Sequence, residues 1–221
     1  MRLLTEVRRQ LRPRMLVLAF GCGAGFMLIL AGVMAVHGRA LPLDLAVQSV
    51  AVTIRWGPLQ PLVDFIAWLN GPRQTIAGFA IVIVVGLLWL RVAPLMVLSA
   101  LSGSLYSMLS SVVGRARPHA PDAVFTGFAF PSGHAVFFTT NAILLALLIR
   151  RRLPRVVARV VIPVLLAVWS VAVISRVSAR AHWASDVLAG ILLAAGWVTL
   201  VMSVRWISAP VLDEPDRVAR K

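Results

Sequence analysis

Six long apolar runs limit what this chain can fold into. They cover residues 14–36, 75–90, 92–113, 133–149, 156–174 and 183–204. About 20 residues of helix cross the roughly 30 Å hydrocarbon core of a bilayer. A helix also satisfies its backbone groups within its own segment, as lipid requires. The runs are continuous rather than amphipathic in period, so each reads as a span. With 60% hydrophobic and 14% charged residues, the chain has too little charge to cover a soluble domain. The expected fold class is therefore all-α, an integral membrane six-helix bundle. Only Arg91 and its neighbours part the second run from the third, with Pro94 close by. They form either a tight hairpin or a pair cut in the wrong place. The first run follows a basic start, as a cleaved signal peptide would, but it exceeds a usual signal core and reads as an uncleaved span.

Residues 37–74 are neither a span nor a plain loop. Leu45, Val47, Val50, Ile54, Leu59, Leu62, Ile66 and Trp68 alternate with Asp44, Arg55, Asp64, Asn70 and prolines. One or two short interfacial helices in the first outer loop fit this pattern. Their apolar rim could admit a lipid tail sideways, or they could simply cap the bundle. No repeat and no second domain is visible. Residues 1–208 read as one membrane domain, and residues 209–221, polar and holding Pro210 and Pro215, as a disordered cytoplasmic tail.

The net charge is +14, and all but one of the 22 basic residues are Arg. They cluster in short segments between the apolar runs, which is topology signalling rather than a nucleic-acid footprint. With the N-terminus in the cytoplasm, the inner segments hold fifteen basic residues and the outer ones seven. The cluster at 150–155 anchors one inner loop. The expected location is a bacterial inner membrane, with both termini cytoplasmic. Cys22, the single cysteine, lies within an apolar run and reads as a packing residue.

Polar residues stranded at span ends are candidates for function. Three groups stand out: Arg117-Pro118, then Pro131-Ser132-Gly133-His134, then Ser175-Arg176 with His182 and Asp186. All fall on the outer side, and two crossings bring the third group back to the level of the second. One pocket can then be built from all three. His182 and Asp186, four apart, share a helix face if the sixth span has begun there. The Asp would then fix the imidazole tautomer and free its other nitrogen for attack. A plain interfacial ion pair would have the same spacing. Ser132 and Gly133 before a helix offer a hydroxyl and free N–H groups to an anion, or an ordinary N-cap. His134 sits at the edge, placed to protonate a leaving oxygen. Arg117 and Arg176 supply forks for phosphate oxygens, although arginines at span ends also serve topology.

Taken together these residues resemble the three-part signature of the type 2 phosphatidic acid phosphatase superfamily, which also includes vanadium-dependent haloperoxidases. The pattern is Lys, six residues, Arg-Pro; then Pro-Ser-Gly-His; then Ser-Arg, five residues, His, three residues, Asp. The match runs from about residue 110 to 186, with one departure: Ser110 stands where the family has Lys. Arg115, Arg180 or His119 are the candidates to replace that cation. The resemblance implies a lipid phosphate or diphosphate phosphatase with no cofactor and no metal. His182 would be the nucleophile that forms a phosphohistidine, Asp186 its partner, and His134 the acid. Arg117, Arg176, Ser132 and Gly133 would bind substrate. Near the pocket the only acids are Asp122 and Asp186, too few for a metal cluster. The expected partners are a lipid phosphate and membrane lipids, not nucleic acid. A phosphotransferase would use the same residues, and a non-catalytic lipid-binding protein could have kept the pocket. No charged residue lies mid-span to suggest ion handling.

Overall fold

The computed structural model describes residues 10–120 and 125–213. Among them are ten α-helices and two short 3-10 turns. Six segments are long and apolar enough to span a membrane, and the chain is a multi-pass membrane protein. The first is α1 (Pro13–Ala35). Two short helices follow, α2 (Pro42–Ala51) and α3 (Gln60–Trp68). The second span is α4 (Gly71–Leu88). The third is broken into a 3-10 turn (Leu90–Val92), α5 (Ala93–Ala100) and α6 (Ser102–Val113). Then come α7 (Gly133–Arg152), α8 (Arg155–Ser178) and α9 (Ala184–Ser203). The last helix is α10 (Arg205–Leu212).

The second and third runs are a true pair of spans. Their tight turn is the 3-10 segment at Leu90–Val92, where the Trp89 backbone leaves helical geometry and Pro94 opens the next helix. Bundle surfaces are apolar and open, as lipid-facing helices must be: Leu28 of α1, Leu87 of α4 and Val160 of α8 are each more than 60% exposed.

α9 lies at the centre. It packs against α1 on one side and α7 on the other. The α7 contact is close because position 190 is glycine: a Cβ there would sit 2.7 Å from the Ser132 carbonyl oxygen and 2.9 Å from the Ala135 Cβ. The Ser132 amide also donates to the Asp186 carbonyl at 2.9 Å. The second and third sequence groups are thereby joined backbone to backbone.

The expected tail begins too early. α10 carries the chain through Leu212, with Ile207 and Val211 buried against Val92, Leu95, Met96 and Val201. Ile207 and Val211, four apart, form an apolar stripe that an average over a polar segment conceals. Arg12 ties this helix down by donating from Nε to the Ser208 hydroxyl at 2.8 Å and pairing with Asp213. The packed helices therefore continue past residue 208, and residues 214–221 of the expected tail lie outside the described residues.

Helices α2 and α3 act as cap and amphipathic surface together. Gln48 donates from Nε2 to the Val177 carbonyl at 2.7 Å, and Trp56 from Nε1 to the Ser178 hydroxyl at 3.1 Å. The first serves one of the last carbonyls of α8, which have no partner within the helix, and the second ties the side chain of its last residue. Ala51, Val63 and Ile66 face inward, while Leu43, Val50 and Phe65 remain exposed.

Candidate active site

The three sequence groups meet at one end of the bundle. The chain leaves α8 through a tight stop. Arg180 adopts a left-handed conformation, φ 56°. The Ala181 amide bonds the Arg176 carbonyl and the Arg180 amide the Val177 carbonyl, both at 3.0 Å. This is the paired bonding of a Schellman stop. It also brings the His182 amide to the Arg176 carbonyl at 3.1 Å, fixing the histidine directly beside the helix that carries Arg176.

His182 is 3% exposed. Its Nδ1 lies 2.7 Å from the Ala129 carbonyl oxygen, and its Nε2 lies 3.1 Å from Nη1 of Arg117. A carbonyl only accepts and a guanidinium only donates, so the proton sits on Nδ1 and the lone pair on Nε2. Burial, and then the charge of Arg117, push the imidazole pKa well below its ordinary value. His182 is thus a neutral, oriented base whose unprotonated nitrogen accepts from the Arg117 guanidinium.

Asp186 is not the group that orients it. α9 begins at Ala184, so His182 precedes the helix and the two residues share no helix face. The Asp186 carboxylate accepts from the Trp183 amide at 2.8 Å and from Arg115 at 2.5 Å. A cap at N3 is the better use of an acid three residues after an N-cap. The backbone carbonyl of Ala129 takes the expected role, and a carbonyl carries no sequence signal.

Arg115 is likewise not a phosphate cation. Its side chain is fully buried and uses all five N–H groups: Nε on the Gly38 carbonyl, Nη1 on Ser185 and Asp186, Nη2 on the Arg39 carbonyl and Asp44. Asp44 and Ser185 are structural partners that the sequence did not single out. Burial raises the Asp44 pKa, but bonds from the Ser185 and Leu41 amides and from Arg115 outweigh it, leaving a net depression. Arg180 donates to the His119 carbonyl at 3.3 Å, at the surface.

Two guanidiniums remain at the centre. Arg117 donates to the carbonyls of Ala181, Gly127 and Thr126 as well as facing His182. Arg176 is 3% exposed and, among the described residues, bonds only the Ser175 hydroxyl, at 3.2 Å and 3.4 Å. Among the described residues neither has a carboxylate partner. A buried charge without a counter-ion is costly, so this pocket is built to receive an anion.

The start of α7 completes the seat. Ser132 is the N-cap, accepting from the Ala135 amide at 3.4 Å. The amides of Gly133 and His134, the first two of the helix, have no partner within it. His134 donates from Nε2 to the Ile66 carbonyl of α3 at 3.1 Å. The short helix therefore lies over the seat, an arrangement the sequence did not reveal. Gly133 is required by a neighbour as well: a Cβ there would meet the Tyr106 ring at 2.6 Å. Below the seat a cavity of about 460 Å³ opens between α4, α5–α6 and α7, reaching from Gly133 past Phe137 and Thr140 to Leu144 and Met96. Among the described residues no cluster of three or more His, Cys, Asp or Glu forms a metal site.

A model of the PAP2 superfamily matches residues 91–209. Among solved structures, the chain is similar to one described as the first transmembrane PAP2 type phosphatidylglycerolphosphate phosphatase, from Bacillus subtilis. The TM-score is 0.66 at 22% identity, over 82% of this chain and 92% of that one. No curated protein matches the sequence.

Proposed function

The chain belongs to the PAP2 superfamily, and from that premise we propose that it is a lipid phosphate phosphatase working through a phosphohistidine on the outer face of the membrane. One observation carries the reading. A buried neutral imidazole points its lone pair into a pocket that also holds Arg117 and Arg176, two cations without a carboxylate. A phosphate supplies the missing negative charge and presents phosphorus to Nε2.

The geometry supports the following chemistry. His182 Nε2 attacks phosphorus, and the bond from phosphorus to the lipid oxygen breaks. His134, whose Nε2 proton is held by the Ile66 carbonyl, enters the step protonated on both nitrogens and gives that oxygen its Nδ1 proton. As charge develops on the His182 ring, the Ala129 carbonyl holds its Nδ1 proton. Arg117, Arg176 and the α7 amides take up charge on the phosphoryl oxygens. Water next attacks phosphorus, losing its proton to His134, and phosphate leaves with Nε2 restored. The cavity below the seat gives the lipid a route from the bilayer.

The test is phosphate release from a panel of lipid phosphates by purified protein in detergent with EDTA. Wild type is expected to turn over, to be inhibited by vanadate, and to lose several powers of ten on His182→Ala. Activity surviving that substitution, or a strict need for a divalent ion, removes the mechanism. Transfer to an alcohol without phosphate release makes the protein a transferase.

A further inference from the structure

The seat lacks a cation that the family signature supplies. Ser110 on α6 is 8% exposed and carries no charge. Of the arginines nearby, Arg115 is fully committed to Asp44 and Asp186, and Arg180 closes the α8 stop. One turn earlier on the same face of α6 stands Tyr106, the chain's single tyrosine. Its ring lies against the first residue of α7. A Cβ built on Gly133 would be 2.6 Å from Cζ and 2.9 Å from the hydroxyl oxygen. The hydroxyl is therefore beside the first residue of α7, at the upper end of the cavity that Tyr106 and Gly133 both line. Among the described residues no hydrogen-bond partner takes it.

A tyrosine used for packing alone would be as good as phenylalanine, and its hydroxyl would reach water or a protein acceptor. This one ends next to an anion seat, and no protein group among the described residues accepts from it. We propose that Tyr106 is a further substrate-binding residue: its hydroxyl donates to a phosphate oxygen, in the place that a lysine at position 110 takes in the family signature. A phenol supplies one directed O–H and no charge, so the seat holds phosphate with two guanidiniums, the helix amides and this donor. Glycine at 133 follows from the same arrangement, since any side chain there would displace the ring.

The inference rests on the phosphatase reading only in its turnover arm; vanadate binding tests it separately. Purified wild type, Tyr106→Phe, Ser110→Lys and the double variant are compared in EDTA by calorimetric vanadate binding and by kcat/KM on a lipid phosphate. Tyr106→Phe is expected to lose about ten- to a hundredfold in both, as for a bond to a charged group. Ser110→Lys alone should change vanadate affinity by less than about twofold because the place is taken, yet restore at least about tenfold in the Tyr106→Phe background, a non-additivity expected of neighbours sharing one partner. An unfolded variant would not be rescued in this way. Tyr106→Phe within about twofold of wild type in vanadate binding overturns the inference. So does a tenfold gain from Ser110→Lys alone, which can be read even if the Phe variant fails to fold. Vanadate binding that depends on Tyr106, in a wild type that releases no phosphate, removes the phosphatase reading and leaves this one standing. A wild type that binds no vanadate removes both.

Discussion

Arg115 matters through what it holds in place rather than through its charge. All five of its N–H groups have acceptors, two of them on buried carboxylates from segments 71 residues away in opposite directions along the chain. Removing one member of a buried ion network costs about 3–5 kcal/mol. Lysine cannot replace a planar five-donor fork. Arg115→Lys and Arg115→Ala are therefore both expected to lower the unfolding temperature in detergent markedly, with Ala the worse. An Arg115→Lys protein as stable as wild type would show that the network is not structural. His182 provides a second test, through pH. Its folded pKa is depressed by burial and by Arg117, while the unfolded chain titrates near the ordinary value of about 6.5. Below that pH the unfolded state binds a proton that the folded state refuses, so stability falls as pH drops through 6.5. The same depression keeps Nε2 unprotonated, so the acid limb of kcat/KM should lie below pH 6.5. A limb at or above that value, or a wild-type pH–stability curve unchanged by His182→Asn, would contradict the buried neutral imidazole. The two histidines and Arg117 and Arg176 were legible because each belongs to a short local motif. Asp44, the Ala129 and Ile66 carbonyls and Tyr106 were not. The first three act across long separations or through backbone atoms, and a lone tyrosine in an apolar run looks like any packing residue until Gly133 is seen beneath it.

Among the elements, the stop after α8 and the crossing of α7 with α9 set the site. Arg180 takes the left-handed position of a Schellman stop, where glycine is the usual occupant. Replacing a strained non-glycine residue there relieves roughly 1 kcal/mol of backbone cost. Arg180→Gly is expected to keep or slightly raise the unfolding temperature and to leave kcat/KM within about twofold of wild type. A loss as deep as that of Arg117→Ala would instead make Arg180 the relocated cation. Gly190→Ala tests the other element contact. Its Cβ would meet the backbone oxygen of Ser132 at 2.7 Å, and neither helix can yield without moving Ser132 away from Asp186. Overpacking of this kind costs about 1–3 kcal/mol, and activity should fall further than stability because the seat moves with α7. Normal activity in this variant would mean that the two motifs need not be held backbone to backbone. The span positions were readable from apolar runs alone, and their observed ends fall within a few residues of the expected ones. α10 was missed because its stripe of Ile207 and Val211 is too short to stand out beside Pro210 and a polar flank.

At the scale of the whole molecule, charge asymmetry argues for the direction in which the site faces. Among the described residues, the end of the bundle away from the site carries Arg12, Arg14, Arg91, the 150–155 cluster, Arg159 and Arg205. The site end carries the remaining seven basic residues, of which Arg115, Arg117 and Arg176 are engaged within the protein. Arginines used in a buried network or a ligand pocket do little to retain a loop on one side of the membrane, so the effective bias exceeds the raw fifteen to seven. Positively charged short loops favour the cytoplasmic side, and this bias is the ground for the proposal that the site faces outward and releases phosphate there. Ala120 is partly exposed at the site end, and Cys22 is the only native thiol. A cysteine substituted at Ala120 in a Cys22→Ala background is expected to react with a membrane-impermeant thiol reagent in intact cells, or in spheroplasts if an outer membrane bars the reagent. A cysteine substituted at Leu153, in the loop between α7 and α8, should react only after lysis. The reverse pattern would turn the protein over, move hydrolysis to the cytoplasmic leaflet, and leave the pocket chemistry as described but with a different pool of lipid to act on.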